Sequence, residues 1–289
     1  MKYQFIEDHR SSGIRIRTMC KVLSVSHSGY YTWSQHPQSQ RKTLNEQLFE
    51  KIQDIHRESK STYGSPRITL ELHSRGERCG KNRIARLMQK HGIRAKMSHK
   101  FRITTTQRNI NDPVAPNLVQ QLFVADRPNQ LWSSDITYIW TREGWLYLAV
   151  ILDVYSRAII GYAVSHRLTT NLVLDAFTRA LNCRTISPGL ILHSDRGCQY
   201  TSKEFQHVLA SYQIRSSMSA KGNCYDNAIT ETFFHTLKTE HIYFQRFESR
   251  REAELSIFDY IEIFYNRKRR HSSIGYRSPF EFEQQQIIA

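Results

Sequence analysis

The sequence predicts a mixed α/β core preceded by an all-α, strongly basic module. Short apolar segments with strand character alternate with helical segments between residues 132 and 237. Two shorter helical segments, joined by a glycine-containing turn, lie upstream between residues 65 and 91. Charge is unevenly distributed: residues 41–108 hold 17 Lys and Arg against 6 Asp and Glu, whereas residues 131–240 hold 10 against 9. This division indicates a module that binds a polyanion, joined to a chemically specialised core.

The composition favours a nucleic-acid partner in a reducing compartment. The 289 residues carry a formal net charge of +15. The five cysteines form no CxxC pair, so a reduced cytosolic setting is expected and a structural zinc site is not; they are Cys20, Cys79, Cys183, Cys198 and Cys224. No apolar stretch approaches the roughly 18 residues that cross a bilayer. The sequence therefore predicts a cytoplasmic protein without membrane association.

The first 36 residues predict a small helical segment. Residues 14–23 and 28–33 have helical character around the turn at residues 24–26, which is the pattern of a helix-turn-helix remnant. Residues 34–40 are polar and include Pro37, which favours a linker.

Residues 41–108 predict a basic helix-turn-helix module followed by an extended arm. A helix is expected over residues 44–58, with Leu48, Ile52 and Ile55 at helical spacing. Ser65 and Pro66 offer an N-cap followed by proline at the first helical position, and Gly76 marks the end of that helix.

The next predicted helix, residues 81–91, has one apolar and one basic stripe. Its apolar residues are Ile84, Leu87 and Met88, and its basic residues are Lys81, Arg83, Arg86 and Lys90. Such a second helix enters a DNA major groove, although a merely solvated basic face remains an alternative. Basic residues continue into the arm, which is expected to track phosphates or the minor groove; they are Arg94, Lys96, Lys100, Arg102 and Arg108.

A proline-containing boundary at residues 109–129 precedes the predicted α/β core at residues 130–245. The predicted strands cover residues 132–139, 145–152, 158–164, 190–193 and 214–219. The predicted helices cover residues 171–181, 202–212 and 228–237. From propensity alone this order indicates only a mixed α/β class.

Three acidic residues in this core lie in settings that suggest metal ligands. Asp135 and Asp195 lie in or directly after apolar strands, where a buried charge is costly unless it is paired. Glu231 lies on a helix that is able to reach the ends of those strands when packed against the sheet. Carboxylate oxygens on rigid elements suit Mg²⁺ or Mn²⁺. Two such ions would promote an in-line displacement at phosphorus. Structural roles remain the alternative for each residue taken alone.

The acidic residues and their flanking motifs resemble one known family. Thirty-five residues separate Asp195 from Glu231, and the accompanying motifs are Trp132-x-x-Asp135-Ile136-Thr137-Tyr138, Leu152-Asp153-Val154-Tyr155-Ser156-Arg157, His193-Ser194-Asp195-Arg196-Gly197 and Asp226-Asn227-Ala228. Together they resemble the OrfB portion of transposases of the IS3 family of bacterial insertion sequences. That family has the DD(35)E pattern and a catalytic core like that of retroviral integrases. The resemblance runs from about residue 43 to residue 283.

The resemblance implies a fold, an activity and partners. It implies an RNase H-like integrase core with an N-terminal all-α helix-turn-helix module and a C-terminal helical extension. It also implies a DDE transposase in which Asp135, Asp195 and Glu231 hold two Mg²⁺ ions, with Mn²⁺ as a substitute, and Lys238 contacts the DNA end. The implied partners are the terminal repeats of the element, target DNA, further copies of the chain and an upstream OrfA protein or fusion segment.

Two other functions remain as alternatives at this point. A non-catalytic DNA-binding regulator of transposition would explain the basic module, but it has no need for three carboxylates beside phosphate. An RNase H-type or structure-selective nuclease would not explain the helix-turn-helix.

Several neighbouring residues have more than one interpretation. Asn227 shares a helix face with Glu231, where its amide would orient the carboxylate or contact DNA, or it would cap the helix. Asp153 is expected to form a structural ion pair with Arg157, and His193 to have a packing role. Residues 219–227 have loop composition and are a candidate mobile element that closes over DNA.

The C-terminal residues 246–289 predict an amphipathic helix and a basic tail. The expected apolar face consists of Leu255, Phe258, Ile261 and Phe264. A basic cluster follows and is expected to bind donor or target DNA; it consists of Arg267, Lys268, Arg269 and Arg270. A favourable interaction with the helix dipole is the alternative explanation for this cluster. The Tyr-Asn-x-x-Arg-x-His sequence that contains it resembles the closing motif of the same family.

Overall fold

The computed structural model describes residues 1–35, 40–96, 114–186, 188–220 and 227–288, with the backbone alone described at residues 40 and 286–288. Two compact units are present among them. One comprises residues 1–58 and 64–94, and the other comprises residues 59–63 together with the described residues from 95 onward. Pro37, the arm residues Lys100, Arg102 and Arg108, and positions 221–226 of the predicted mobile loop lie outside the described residues.

The first unit begins with three short helices, α1 (Lys2–Asp8), α2 (Ile16–Val22) and α3 (His27–Gln35). They bury a small common core that consists of Ile6, Met19, Cys20 and Tyr30. The Tyr30 hydroxyl donates a hydrogen bond to the Glu7 carboxylate and so ties α3 to α1. Helix α1 lies outside the predicted elements, because a seven-residue helix with one buried residue has too weak a periodicity to be recognised.

Three longer helices complete this unit, α4 (Gln40–Glu58), α5 (Ser65–Ser74) and α6 (Lys81–Lys90). The apolar stripe predicted for α6 is buried, and consists of Ile84, Leu87 and Met88. The N-cap of α5 is Gly64 rather than the predicted Ser65, which is already the first helical residue. Gly76 adopts φ +85°, a left-handed conformation that glycine accepts without strain, and it ends the α5 region as predicted.

The second unit contains a five-stranded sheet in the order β3-β2-β1-β4-β5. The strands are β1 (Leu131–Thr141), β2 (Gly144–Asp153), β3 (Ile159–Ser165), β4 (Ile191–Ser194) and β5 (Arg215–Met218). The first three pair antiparallel as consecutive hairpins, whereas β4 and β5 run parallel to β1. The mixed sheet confirms the predicted order of strands and helices.

Helices α7 (Thr170–Cys183), α8 (Cys198–Thr201) and α9 (Lys203–Ser211) connect β3 to β4 and β4 to β5. They pack with one face of the sheet around Trp132, Phe177 and Phe205. A Cβ at Gly161 would lie 2.3 Å from the carbonyl oxygen of Ala176, so only glycine permits the observed approach of α7 to β3.

The opposite face of the sheet is covered by the C-terminal helices. The helices that contribute to this layer are α10 (Ala228–Glu240), a 3-10 helix (Ile242–Phe244), α11 (Arg250–Phe258) and a π-helix (Asp259–Tyr265). A second 3-10 helix (Ser272–Ile274) and α12 (Pro279–Ile288) follow them in the chain. The core residues of this layer include Phe233, Leu237, Ile257 and Phe264, packed against alternate residues of β1 and β2. None of the helices in the described ranges is long and apolar enough to span a membrane.

The apolar face predicted for residues 255–264 is wrong at two positions. Leu255 and Phe258 are 52% and 50% exposed, whereas Ile257 and Tyr260 are fully buried. The reason is that the predicted positions are spaced three residues apart, which departs from the 3.6-residue period of a helix. The buried residues Ala253, Ile257, Tyr260 and Phe264 follow that period.

Candidate active site

The pairing of β1 with β4 places Asp135 and Asp195 at one point of the sheet. The last paired position is Ser133 opposite His193. Two residues further on, Asp135 lies within β1 and Asp195 lies directly after the end of β4. Because residues two apart share a face of a strand, the two carboxylates continue side by side from this pair. Within the described residues the pairing of β1 with β4 stops at Ser133, which opens the edge of β1 beside the carboxylates.

Glu231 approaches the same point from the helical layer. It lies in the first turn of α10, which packs on β1 through the buried Phe233 and Leu237. Its own side chain is exposed, while Asp135 and Asp195 are half-buried. The three side chains therefore lie at a rim that is open to solvent on the Glu231 side.

The electrostatics of Asp135 reveal the proximity of the other two carboxylates. Burial raises the pKa of Asp135 well above its usual value, and the negative charges of Asp195 and Glu231 raise it further. The Ile136 backbone N–H donates to Asp135 Oδ1 at 2.7 Å and partly opposes this rise. Without a cation, the ionised form of Asp135 is thus disfavoured.

The other two carboxyl groups show the same direction of change. Burial raises the pKa of Asp195, and a hydrogen bond of 2.9 Å from the Gly197 N–H to Oδ1 opposes it. Burial also raises the pKa of Glu231. Burial thus disfavours the ionised form of all three carboxyl groups, and at Asp135 the neighbouring charges add to it, so a cation would stabilise the ionised site at neutral pH.

A hard divalent cation fits this donor set. The three side chains offer only carboxylate oxygens, the ligands that Mg²⁺ and Mn²⁺ prefer. Within the described ranges, no group of three or more His, Cys, Asp and Glu side chains is close enough together to hold a metal ion by itself. Mg²⁺ keeps several waters and takes further ligands from phosphate, so it requires fewer protein ligands than a metal held by side chains alone.

Lys238 brings a positive charge to the edge of the same site. It lies two helical turns after Glu231 on α10 and is half-buried. Burial lowers the pKa of Lys238, while the charge of Asp135 raises it. Its Nζ lies 4.8 Å from the centroid of the Tyr138 ring, which orients the ammonium group near the open edge of β1.

A buried hydrogen-bond cluster joins the start of α10 to β1. Ser133 Oγ donates to Asn227 Oδ1 at 2.8 Å and lies 2.6 Å from Thr230 Oγ1. Asn227 Nδ2 donates to the Ser134 carbonyl oxygen at 3.3 Å. Asn227 occupies the N-cap position, yet its side chain makes no capping hydrogen bond. Its amide therefore links the Glu231 helix to the Asp135 strand.

Ser133, Ser134, Thr230 and Tyr200 belong to the surroundings of the site but were not recognised from the sequence. Tyr200 lies on α8, and its hydroxyl is 2.9 Å from Ser134 Oγ, which donates to the Val150 carbonyl oxygen. Burial and the charges of Asp135 and Asp195 raise the pKa of Tyr200, which therefore stays neutral. Two adjacent serines within an apolar strand were the available signal, because buried hydroxyls need partners.

The structure decides the interpretation of two further residues. His193 is fully buried, with Nδ1 2.9 Å from Ser217 Oγ and its ring edge-on to Phe123, as expected for packing. The ion pair predicted between Asp153 and Arg157 is wrong. The Asp153 carboxylate accepts backbone hydrogen bonds from the N–H groups of Asn129 and Tyr155 at 2.9 and 3.0 Å. The positive charge that lowers its pKa is that of Arg184 rather than Arg157.

Three of the four basic residues predicted to bind DNA on α6 point to solvent. Lys81, Arg86 and Lys90 are exposed. Arg83 is half-buried, and its Nε donates to Asn45 Oδ1 of α4 at 2.8 Å. The exposed three thus form a basic surface, while Arg83 also ties α6 to α4.

The C-terminal basic cluster divides in a similar way. Arg267 and Lys268 are exposed, and Arg270 is half-buried with Nη1 donating to the Tyr276 carbonyl oxygen at 3.0 Å. Arg269 is only 6% exposed and forms a bidentate ion pair with Glu240, in which Nε and Nη2 each lie 2.7 Å from a carboxylate oxygen. This correction removes Arg269 from the expected DNA contacts, because its donors are committed to an internal ion pair.

Family comparisons cover most of the chain. Residues 125–224 and 231–287 each match the family description "Integrase core domain", and residues 43–101 match "HTH-like domain". The two core matches contain all three carboxylates and Lys238.

Individual relatives match over nearly the whole length. The chain is 44% identical over 289 residues to transposase InsF of insertion sequence IS3A from Escherichia coli strain K12, spanning 99% of this chain and 100% of that protein. It is 47% identical over 266 residues to an uncharacterised 31 kDa protein of insertion element IS600 from Shigella sonnei, spanning 92% and 97% of the two chains.

Among solved structures, the HTLV-2 integrase catalytic core domain in complex with magnesium overlays at a TM-score of 0.43 with 17% identity. The overlay covers 55% of this chain and 99% of that chain. It is too loose to add to the full-length sequence matches.

Proposed function

Because the chain belongs to the transposases of the IS3 family of insertion sequences, we propose that Asp135, Asp195 and Glu231 form the site at which it cuts and joins DNA strands. The observation that carries this proposal is the convergence of three like charges at the open edge of β1, where Asp195 and Glu231 raise the pKa of Asp135. A structural role gives no reason to hold three carboxylates together without a cation.

The three carboxylates would hold two Mg²⁺ ions, with Mn²⁺ as a substitute. Such ions, when bound, stabilise the attacking and leaving oxygens of an in-line displacement at phosphorus. The contribution of the chain itself is to hold the three carboxylates in position. The strands fix Asp135 and Asp195, and the Ser133–Asn227–Thr230 cluster holds α10 so that Glu231 completes the set.

The substrates are the terminal repeats of the element and target DNA. Water first cuts the element end, and the freed 3′-hydroxyl then attacks another phosphodiester, so the protein forms no covalent intermediate. Lys238 binds a phosphate at the DNA end. The surface formed by Lys81, Arg86 and Lys90 lies along the DNA of the terminal repeat, as expected for the second helix of a helix-turn-helix.

This division of work follows the sequence organisation. The helical segment at residues 1–36 precedes the DNA-binding module and arm at residues 41–108. A linker at residues 109–129 leads to the catalytic core at residues 130–245. Residues 246–289 extend the core and bind DNA through Arg267, Lys268 and Arg270. Two element ends must be processed together, so the chain acts as a multimer on DNA with an upstream OrfA protein or segment, in the cytoplasm.

A cleavage and joining experiment tests this proposal. Labelled DNA that carries the element ends is incubated with the upstream segment, Mg²⁺ or Mn²⁺, and the wild-type chain or Glu231→Gln. Wild type should give cut and joined strands, whereas Glu231→Gln should retain DNA binding and lose products. Glu204→Gln is the matched control, because Glu204 is an exposed acidic residue in the first turn of α9. Absence of products from every protein, with DNA binding intact, would favour the non-catalytic regulator.

A further inference from the structure

The far end of the β1–β2 hairpin carries four aromatic residues on one face of the sheet. Trp140 pairs with Trp145 across the hairpin, and Tyr138 pairs with Tyr147. Residues two apart on a strand share a face, so the four rings belong to one surface, here called the hairpin platform. The ring centroids of Trp140 and Trp145 lie 4.8 Å apart, and those of Tyr138 and Trp145 lie 5.0 Å apart, both edge-to-face.

The hairpin platform faces solvent. Trp140 is 60% exposed and Trp145 is 40% exposed. Single exposed apolar side chains are ordinary on a protein surface, but contiguous exposed aromatic groups mark a binding site. The rings are also held in place by the paired strands, which reduces the entropy lost when a flat ligand stacks on them.

The hairpin platform meets the carboxylate site at the open edge of β1. Tyr138 and Trp140 lie three and five residues after Asp135, so their side chains point to the opposite face of the sheet, about 10 and 17 Å further along the strand. Lys238 connects the two regions, because its Nζ lies over the Tyr138 ring while the Asp135 charge acts on its pKa. A DNA strand that passes from the carboxylates over the open edge of β1 thus meets first this cation and then the exposed aromatic rings.

From this arrangement we infer that the hairpin platform binds unpaired bases of the DNA strand next to the reacting phosphodiester. The bases stack on Trp140 and Trp145, and Lys238 contacts the adjoining phosphate. Aromatic side chains beside a basic group are the means by which proteins hold single-stranded nucleic acid without reading its sequence. This inference rests on the proposed strand-cutting function of the Asp135 site, because that function brings a DNA strand to this edge.

Equilibrium binding separates this inference from catalysis. Full-length protein is titrated in EDTA, where metal-dependent chemistry is absent. The two DNA ligands are a blunt-ended duplex and the same duplex with an unpaired three-nucleotide extension at the element end. The extension should strengthen binding by wild type. Trp140→Ala and Trp145→Ala should each lower the affinity for the extended duplex by roughly 5- to 150-fold, the range for one stacked base. The advantage of the extended over the blunt duplex should shrink accordingly. Trp140→Phe, which keeps an aromatic ring, should retain most of it.

The matched control is Phe258→Ala, since Phe258 is 50% exposed on α11 and lies outside the hairpin platform. It should preserve the gain from the extension. An equal gain in wild type, Trp140→Ala and Trp145→Ala would overturn the inference. A change in oligomeric state of the Trp variants without a change in that gain would overturn it too, and would identify the surface as a contact between copies of the chain. A failure of strand cleavage by wild type in Mn²⁺ would count against the Asp135 site and leave this binding comparison valid.

Discussion

Asp135 experiences the strongest electrostatic conflict among the site residues. Its pKa is raised by burial, then by Asp195, and further by Glu231. A carboxyl group with a higher pKa in the folded state binds protons more readily when folded, so it favours folding at low pH. That contribution is lost as pH rises through the folded-state pKa, and at neutral pH the metal-free site is left under strain from like charges.

The first prediction is that Asp135→Asn stabilises the metal-free protein while it abolishes strand cutting. In EDTA at pH 7 the Tm of Asp135→Asn should exceed that of wild type, because the neutral amide removes repulsion from Asp195 and Glu231. The difference should shrink as pH falls and the carboxyl group of wild type becomes protonated. Asp175→Asn, at an exposed position on α7, is the control and should leave Tm nearly unchanged. A lower Tm for Asp135→Asn at pH 7 would refute this account of the charges.

Asn227 shows why residue type alone did not define the details of the site. Its three interpretations from the sequence all concerned neighbours on its own helix or the substrate. The observed partners are Ser133 and Ser134, 94 and 93 positions away in the chain. Arg269 is similar, because its carboxylate partner is 29 positions away on α10. Local patterns cannot reveal such contacts, whereas the spacing of the three carboxylates was visible through the family resemblance.

At the level of secondary-structure elements, the attachment of α10 to β1 controls the distance between Glu231 and the two aspartates. The second prediction concerns Asn227→Ala, which leaves Ser133 Oγ and the Ser134 carbonyl without their amide partner. Loss of buried hydrogen-bond partners should lower the free energy of unfolding by about 1–3 kcal/mol. Strand cutting should slow even under conditions where the variant is fully folded.

Urea unfolding and single-turnover cleavage measure these two effects separately. Thr232→Ala is the matched control, since Thr232 is an exposed hydroxyl residue on the same helix that bonds only to the Ala228 carbonyl oxygen. It should change neither quantity appreciably. A normal cleavage rate in folded Asn227→Ala would show that the hydrogen bonds do not position Glu231.

The other end of α10 is fixed by the ion pair of Glu240 with Arg269. Their side chains are 12% and 7% exposed, and the Tyr260 hydroxyl donates to the same carboxylate at 3.1 Å. The third prediction is that Glu240→Gln, which leaves a buried guanidinium without its counter-charge, destabilises the protein by about 3–5 kcal/mol.

Urea unfolding is again the measurement. The double variant Glu240→Leu/Arg269→Met should recover much of the loss, because replacing both buried charges removes the uncompensated one. The exposed pair of Arg251 with Glu254 supplies the control, and Glu254→Gln should change stability by less than about 1 kcal/mol. Equal effects of the two Gln variants would contradict a buried role for Glu240.

The main elements of the fold were predictable, and the exceptions have definite causes. Strands β1 to β5 and helices α4 to α7, α9 and α10 have clear periodicity or turn signals. Helices α1 and α8 are too short for a periodic pattern. The face of α11 was misassigned because the predicted residues were spaced three apart, whereas the buried residues follow a 3.6-residue period. The topology required the family resemblance, since propensity gave only a mixed α/β class.

At the scale of the whole molecule, the excess of positive charge lies in the helix-turn-helix module, whereas the region that holds the three carboxylates is nearly neutral. We therefore expect DNA affinity to depend mainly on the module and strand cutting on the core. The fourth prediction is that Lys81→Gln and Lys90→Gln on α6 each weaken DNA binding with little dependence on base sequence. Each lost phosphate contact should reduce the slope of log K against log salt concentration by roughly one. Fluorescence anisotropy at several salt concentrations measures the slope.

Lys51→Gln on α4 is the control, because the ammonium group of Lys51 already forms an ion pair with Glu77 in the same unit. It should leave the slope closer to that of wild type than either α6 variant does. Identical slopes for wild type and the two α6 variants would show that this face of α6 is only solvated, as the alternative interpretation of the sequence held.

The central claim is that the three carboxylates of an IS3-family transposase bind the divalent cations of strand transfer. The most direct test counts Mn²⁺ ions by electron paramagnetic resonance on protein bound to element-end DNA, after subtraction of ions bound by the DNA alone. Wild type and Glu204→Gln should bind about two ions per site. Asp135→Asn should lose this binding while it still binds DNA. The same number of protein-dependent ions in Asp135→Asn as in wild type would contradict the claim.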